Sequence, residues 1–405
     1  MNQTIFYSVF FIPIIMYFSL RFNSLNFYIF LFILMQVSGL ERLLREEYGI
    51  VFLDSLIIII IIFIILIKKV QIKFNKKYII SLLSIYAFYL FYLIFGSVNS
   101  SPDQVFEFIK LLFKNLITLL FVLILYKNIE KNKFFLLLGI IGLITSLFGI
   151  IDWYSNLALF GDRYFYRSSG YIGNANLQAQ IITFMTFPII FLLLRKQVNR
   201  YIGFFIGAVN IFGLLITQSR GGILILIIGV FLLLIFEKSI STKSKMFAIA
   251  TFIVVLSTVI LLINRINPLF LLRLVEGDNN GDFTNGRYDA LIKGLETIFN
   301  DSIFGVGIGN SSINELNLSS HNFYVNTLVE TGILFLPILI ILLIFILNVT
   351  TRLLRKSDEL NLIGGYLCIM LLILGFFTHN ILTNPYFYIL LPIVIMESGQ
   401  LKTRK

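Results

Sequence analysis

Long apolar runs separated by short polar connections make up most of the chain, at residues 4–20, 25–37, 50–67, 78–96, 105–126, 134–154, 177–194, 201–217, 221–236, 246–263, 323–347, 361–377 and 381–396. About 20 helical residues cross the hydrocarbon core of a bilayer, and "DSLIIIIIIFIILI" is the heart of one such run. The pattern predicts an all-α polytopic membrane protein with 12 or 13 spans, residues 1–405 forming one integral membrane domain. The count turns on the first two runs, joined only by "RFNSLN", which read as a hairpin or as one broken helix. The stretch "TIFYSVFFIPIIMYFSL" has no basic residue before it and no small-residue cleavage site after it, so it reads as a retained helix. No repeat of 20–50 residues is evident, which argues against a solenoid.

The polar connections fall into two alternating classes. "KKVQIKFNKK", "KNIEKNK", "RKQVNR", "EKSISTKSK", "RLLRKSDE" and the tail "LKTRK" together hold 20 Lys and Arg residues. "SVNSSPDQ", "SNLALFGDRYFYRSSGYIGNAN", "QSRGG", residues 264–322 and "THNILTNP" hold 7. Basic residues stay on the cytoplasmic side, so the second class is predicted to face outward. The long 264–322 segment weighs least in this argument, because long loops cross largely regardless of charge.

Composition supports this reading. The chain is 58% hydrophobic and 13% charged, against about 45–50% and about 25% in soluble domains. The net charge of +11 has its source in the cytoplasmic connections, so it does not point to nucleic acid. The single Cys368 lies in an apolar run, leaving no disulfide framework and no thiolate metal site.

Chemistry, on this topology, belongs to the outer face. The 264–322 loop is the one connection large enough to fold over the membrane surface. It contains "GRYDALIKGLETIFN", in which Tyr288, Leu291, Ile292, Leu295 and Phe299 share one side at helical spacing. Such a helix suits the bilayer surface or the cap of a cavity. The glycine-rich "FGVGIGN" follows, and then His321, one of only two histidines.

Four places carry candidate chemistry. Arg220, in "GLLITQSRGGILIL", stands between two apolar runs. An arginine at the bilayer centre costs about 2.5–3.5 kcal/mol, less at the interface where its stem can snorkel. It is therefore either an ordinary helix-end arginine or a guanidinium aimed into a polar cavity, with Gly221 and Gly222 allowing close approach; the second reading is favoured. Arg287 opens the loop helix, where Asp282, Thr284 or Asn285 would cap an N-terminus suited to anions. It is otherwise a solvated surface arginine. His321 has the side chain that exchanges a proton near neutral pH, although a lone loop histidine is often no more than polar. The stretch "YFYRSSGYIGNANLQAQ" (164–180) offers Arg167, Asn174 and Asn176 beside aromatic rings. That mixture fits sugar recognition and also an interfacial aromatic belt. The acidic pairs Glu46–Glu47 and Asp278/Asp282 lie in polar connections, His379 is in a different loop, and no metal-ligand cluster emerges, so a metal-dependent enzyme is disfavoured.

Taken in order, "RSSGYIGNANLQA", "TQSRGG", "GRYDALIKG", "FGVGIGN" and "HNFYVNTLVETG" resemble the O-antigen ligase and O-antigen polymerase superfamily of bacterial membrane glycosyltransferases. The last stretch resembles the family's ligase pattern at His321, Asn322 and Gly332 and departs from it at Phe335. Arg287 and Leu291 match the family's loop arginine pattern. The resemblance covers about residues 160–340. It implies a GT-C-like fold in the bacterial cytoplasmic membrane, with an active site facing the periplasm or cell exterior to which residues 264–322 contribute. It implies metal-independent, inverting glycan transfer without a cofactor. The donor would be an oligosaccharide on a polyprenyl diphosphate, and the acceptor a glycan or lipid A–core hydroxyl. On that resemblance Arg220 and Arg287 would stabilise the diphosphate and His321 would take the acceptor's proton. Asn322 would orient the ring or the acceptor. Arg167 would bind donor phosphate or sugar, with Asn174 and Asn176 as further substrate contacts.

Phe335 tilts the expectation toward polymerase over ligase. A glycolipid flippase or transporter is the rival from another class, disfavoured by the absence of an internal repeat and by charges gathered on one face. A scaffolding membrane protein leaves Arg220 and His321 unexplained.

Overall fold

Residues 24–48, 53–67, 76–159, 166–237, 241–266, 287–300, 303–310, 321–355, 362–378, 381 and 384–399 are described by the computed structural model. Helices account for nearly all of them, and no strand occurs among the described residues. The helices are α1 (Ser24–Ser38), α2 (Leu40–Tyr48), α3 (Leu53–Ile67), α4 (Lys76–Ser97), α5 (Pro102–Asn128), α6 (Lys131–Leu159), α7 (Ala175–Leu194) and α8 (Arg200–Ile216). They continue with α9 (Arg220–Phe236), α10 (Thr242–Ile266), α11 (Arg287–Asn300), α12 (Phe323–Thr331), α13 (Leu336–Arg355), α14 (Leu362–Leu374) and α15 (Pro385–Gly399). Among the described residues, Pro102–Asn128, Lys131–Asn156, Ala175–Leu194 and Ile333–Leu354 are long and apolar enough to cross a membrane. Seven further apolar helices are shorter. The chain is an all-helical membrane protein. The expected run at 4–20 lies outside the described residues.

At the centre is α7, buried along most of its length and packed against α6, α8 and α9. Small residues allow these close approaches. A Cβ at Gly222 of α9 would come within 2.8 Å of Ala179 Cβ on α7. Asn210 of α8, buried in this layer, donates to Gly139 O at 3.3 Å. At one end of the bundle Arg195 and Glu237 form a buried ion pair at 2.8 Å, with Arg195 also over the Phe191 ring.

Two elements differ from the sequence expectation. The apolar run 323–347 is not one span but two helices, α12 and α13. Gly332 breaks it with φ +80° and ψ 172°, and a short 3-10 turn at Ile333–Phe335 leads into α13. The connection holding Glu46–Glu47 is likewise not loop. It is α2, whose Leu40 and Leu43 are buried.

The loop helix α11 forms as expected, but its apolar side faces away from the protein. Tyr288 and Phe299 are 60% and 74% exposed, whereas Ala290 and Ile298 are 5% and 7% exposed. The narrow face of Ala290, Gly294, Thr297 and Ile298 is buried, and the helix packs on α12, leaving the broad apolar face to the surroundings. This fits a bilayer-surface helix better than the lid of a cavity.

Candidate functional site

The end of the bundle opposite the Arg195–Glu237 pair gathers every candidate residue on described helix ends and turns. The stretch 166–174 is shaped by Asp152, near the end of α6. Its Oδ2 accepts from Ser169 N at 3.0 Å and Gly170 N at 2.9 Å. Its Oδ1 accepts from Tyr166 Oη at 2.6 Å and Asn156 Nδ2 at 2.8 Å. Burial and the hydrogen bond to this carboxylate push the Tyr166 phenol well above its ordinary value, so it stays a neutral donor. Ser168 N reaches Ile216 O at 3.2 Å, which docks the loop on the end of α8.

Arg167 is fastened into that dock. Its Nε donates to Thr217 O at 3.0 Å and an Nη to Asn176 Oδ1 at 2.5 Å. A guanidinium at the carbonyl end of α8 also meets the negative end of the helix dipole. Asn174 caps α7, its Oδ1 accepting from Asn176 N and Leu177 N. These contacts give Arg167, Asn174 and Asn176 structural work that spacing did not reveal.

Gln218, in the left-handed region at φ +51°, turns the chain sharply between α8 and α9. Ser219 caps α9 by accepting from Gly222 N, which places Arg220 in the first turn. Half-buried Arg220 therefore adds its charge to a helix N-terminus, a setting that favours anions. The two glycines are expected to let a ligand or backbone approach closely, and at Gly222 it is α7 that does so, whereas a Cβ at Gly221 would only touch Phe377 at 3.5 Å.

His321 adopts φ +47° immediately before α12. Asn322 caps that helix, accepting from Tyr324 N at 3.0 Å and Val325 N at 3.2 Å. Its side-chain oxygen thus serves the backbone of α12. Phe323 N donates to Gly375 O at 2.7 Å and Tyr324 Oη to Leu372 O at 2.6 Å. The turn after α14 consequently touches both helices of interest: Gly375 receives the start of α12, and Phe377 lies against Gly221, next to Arg220. His321 and Arg220 are brought to one face by a single turn.

The stretch 303–310 locks this arrangement from the other side. Val306 N and Gly307 N donate to Val329 O and Glu330 O of α12, and Ile308 N to Gly96 O of α4. Buried Glu330 accepts from Tyr92 Oη, from Asn326 Nδ2 at 3.3 Å and from Gly309 N at 3.3 Å. Asp152 and Glu330 escape a reading of the sequence, since each is a lone carboxylate whose partners come together only in the fold. The only local signal was a charged residue within an apolar run.

Arg287 opens α11, which packs against α12, so its helix stands beside that of His321. The proposed caps at 282, 284 and 285 lie outside the described residues, as do Asp278 and His379. Among the described residues no three His, Cys, Asp or Glu side chains converge as metal ligands would.

Residues 202–340, about a third of the chain, match the family described as O-antigen ligase. Arg220, Arg287, His321 and Asn322 fall within the matched residues, and Arg167, Asn174 and Asn176 precede them. Over 259 residues the chain is 25% identical to the ComP-specific O-oligosaccharyltransferase of Acinetobacter baylyi. The match covers 60% of this chain and 45% of that relative, so the chain spans less than half the length of the curated relative. No solved structure matches. Phe335, where the sequence departs from the ligase pattern, is fully buried against the rings of Phe88, Tyr92 and Phe95. Packing is what occupies that position.

Proposed function

We propose that this chain transfers a glycan from a polyprenyl-diphosphate carrier to a hydroxyl acceptor at the outer face of the bacterial cytoplasmic membrane, in surface-polysaccharide synthesis. The observation that carries the reading is the turn at 375–377, which joins the helix of His321 to the helix of Arg220. In the reaction the acceptor oxygen attacks the anomeric carbon from the face opposite the diphosphate, with inversion. The acceptor proton passes to the His321 imidazole, and the bond to the carrier oxygen breaks. Arg220 and Arg287 meet the charge gathering on the leaving diphosphate, a task for which planar guanidinium groups suit better than ammonium. Arg167, held by Asn176, positions the loop at the rim.

A lipid-linked donor also needs a place for its tail. An apolar groove lined by Phe323, Tyr324, Leu343, Ile346, Cys368 and Val394 begins two residues after His321. It supports an isoprenoid chain lying beside α12 with its diphosphate at the histidine end. The 12 or 13 spans, the GT-C-like architecture and the outward face of residues 264–322 belong to this proposal.

The acceptor is a growing glycan, lipid A–core or, by analogy with the relative named for an O-linked protein target, a protein hydroxyl. A gel profile of surface glycans from a deletion strain, complemented by wild type or His321→Ala, separates these. In a host that makes lipopolysaccharide, core bearing a single repeat indicates a polymerase, and bare core with long polymer left on the carrier indicates a ligase. A glycoprotein band lost with the gene indicates a protein acceptor. Full rescue by His321→Ala would refute the general-base role, and a profile unchanged by the deletion would send the search to another glycan or back to the transporter reading.

A further inference from the structure

The loop that holds Arg167 has a second working end. Gly170–Ile172 forms a single 3-10 turn lying against the break between α1 and α2. Gly39, at φ +80°, makes that contact possible, since a Cβ there would come within 2.7 Å of the Tyr171 backbone. Between these elements lies an open pocket. Its walls include Gln36, Glu41, Arg42, Arg45, Tyr171 and Pro385.

Three features of this pocket point to a ligand. Arg42 and Arg45 are spaced i,i+3 on α2, so both guanidinium groups project from one side of a helix. The nearby carboxylate of Glu41 is paired with Lys114 at 2.7 Å, which leaves the rim basic. Gln36 has a buried amide nitrogen with no hydrogen-bond partner among the described residues, a donor that native proteins seldom leave unused. Gly173 stands at φ +77°, and its missing side chain gives the Arg42 guanidinium room over the loop.

We propose that this pocket binds an acidic sugar, a uronate, of the glycan substrate. Arg42 and Arg45 take the carboxylate, Gln36 donates to a ring hydroxyl, and Tyr171 with Pro385 offers the apolar surface on which a pyranose face rests. The assignment rests on the glycan-transfer reading and extends it, because the turn bearing Tyr171 is continuous with the segment that fixes Arg167. An oxyanion at the same arginines has one other source, a phospholipid headgroup. The sugar is favoured because the pocket adds an aromatic ring and an unsatisfied amide to the charge.

Saturation-transfer NMR on the full chain in phosphatidylcholine nanodiscs tests this with methyl glucuronide and methyl glucoside. The glucuronide should give the stronger transfer, and Arg42→Ala/Arg45→Ala should weaken its binding about tenfold or more. Arg42→Lys/Arg45→Lys, which keeps the charge and loses the planar fork, should fall between. Equal signals from the two sugars, or a glucuronide signal unchanged in the alanine pair, would overturn the proposal. Abolition of the signal when phosphatidylglycerol is added to the discs would overturn it in favour of a headgroup site. Binding is read here without turnover, so a silent pocket in a protein that still transfers glycan would refute this inference alone.

Discussion

Arg167 and Arg220 sit on opposite sides of the α8–α9 junction and have different environments. Arg167 is held by a helix-end carbonyl and an amide, whereas Arg220 opens a helix whose first turn favours anions. Lysine substitution should therefore separate them. Arg220→Lys should leave thermal unfolding unchanged and lower turnover about tenfold or more, because the planar fork is lost at the diphosphate. Arg167→Lys should lower stability by about 1–3 kcal/mol through the loss of its paired hydrogen bonds. Unfolding midpoints and transfer rates measured on the same two proteins check both, and equal behaviour would contradict the division of roles. At this scale the sequence shows which residue types are present and hides their packing duties. Asn174 and Asn322 read as substrate contacts, and in the fold the side-chain oxygen of each also caps a helix, because an amide's partners depend on what the fold brings beside it. Asp152 left only the trace of a lone charge within an apolar run, since its partners in the loop become neighbours only once α6 and α7 have packed.

Helices themselves were legible wherever composition was monotonous. Each expected apolar segment from 25–37 onward overlaps a helix in the described residues. What the hydrophobic pattern hid were the breaks, which depend on backbone geometry. Gly332 interrupts a run that reads as continuous, because its φ of +80° ends α12 where hydropathy does not change. Gly305 belongs to the same joint: at φ +72°, an added Cβ would lie 2.5 Å from both Gly332 N and Val329 O. Gly305→Ala should thus cost at least about 1–2 kcal/mol in backbone strain alone and disturb the Glu330 anchor beneath it. The expected outcome is a lowered unfolding midpoint with loss of transfer, and an unaltered midpoint would show that the joint yields freely. The amphipathic spacing of α11 was also read correctly, but spacing cannot say whether an apolar face meets protein or lipid. Its exposed Tyr288 and Phe299 answer that only once α12 occupies the other side.

For the whole molecule, the alternation of basic and non-basic connections predicts which end of the bundle faces outward. The Arg195–Glu237 pair lies at one end, and the candidate residues on described elements collect at the other. If that face is outward, a cysteine introduced at Lys293 in a Cys368→Ser background should react with a membrane-impermeant maleimide applied to intact spheroplasts. Labelling only after membrane disruption would reverse the topology and remove the active site from the outer face.

The central claim is that His321 takes a proton from the acceptor while the arginines hold the departing diphosphate. The most direct measurement is the pH dependence of turnover by the purified protein in nanodiscs, using a polyprenyl-diphosphate oligosaccharide donor, for wild type and His321→Ala. The account predicts that wild-type turnover falls as the pH drops through the histidine range near 6.5, because a protonated ring cannot act as base. It also predicts that His321→Ala is slower by about 10²–10⁴-fold and has lost that titration. A His321→Ala protein with wild-type turnover and the same acid limb would contradict it.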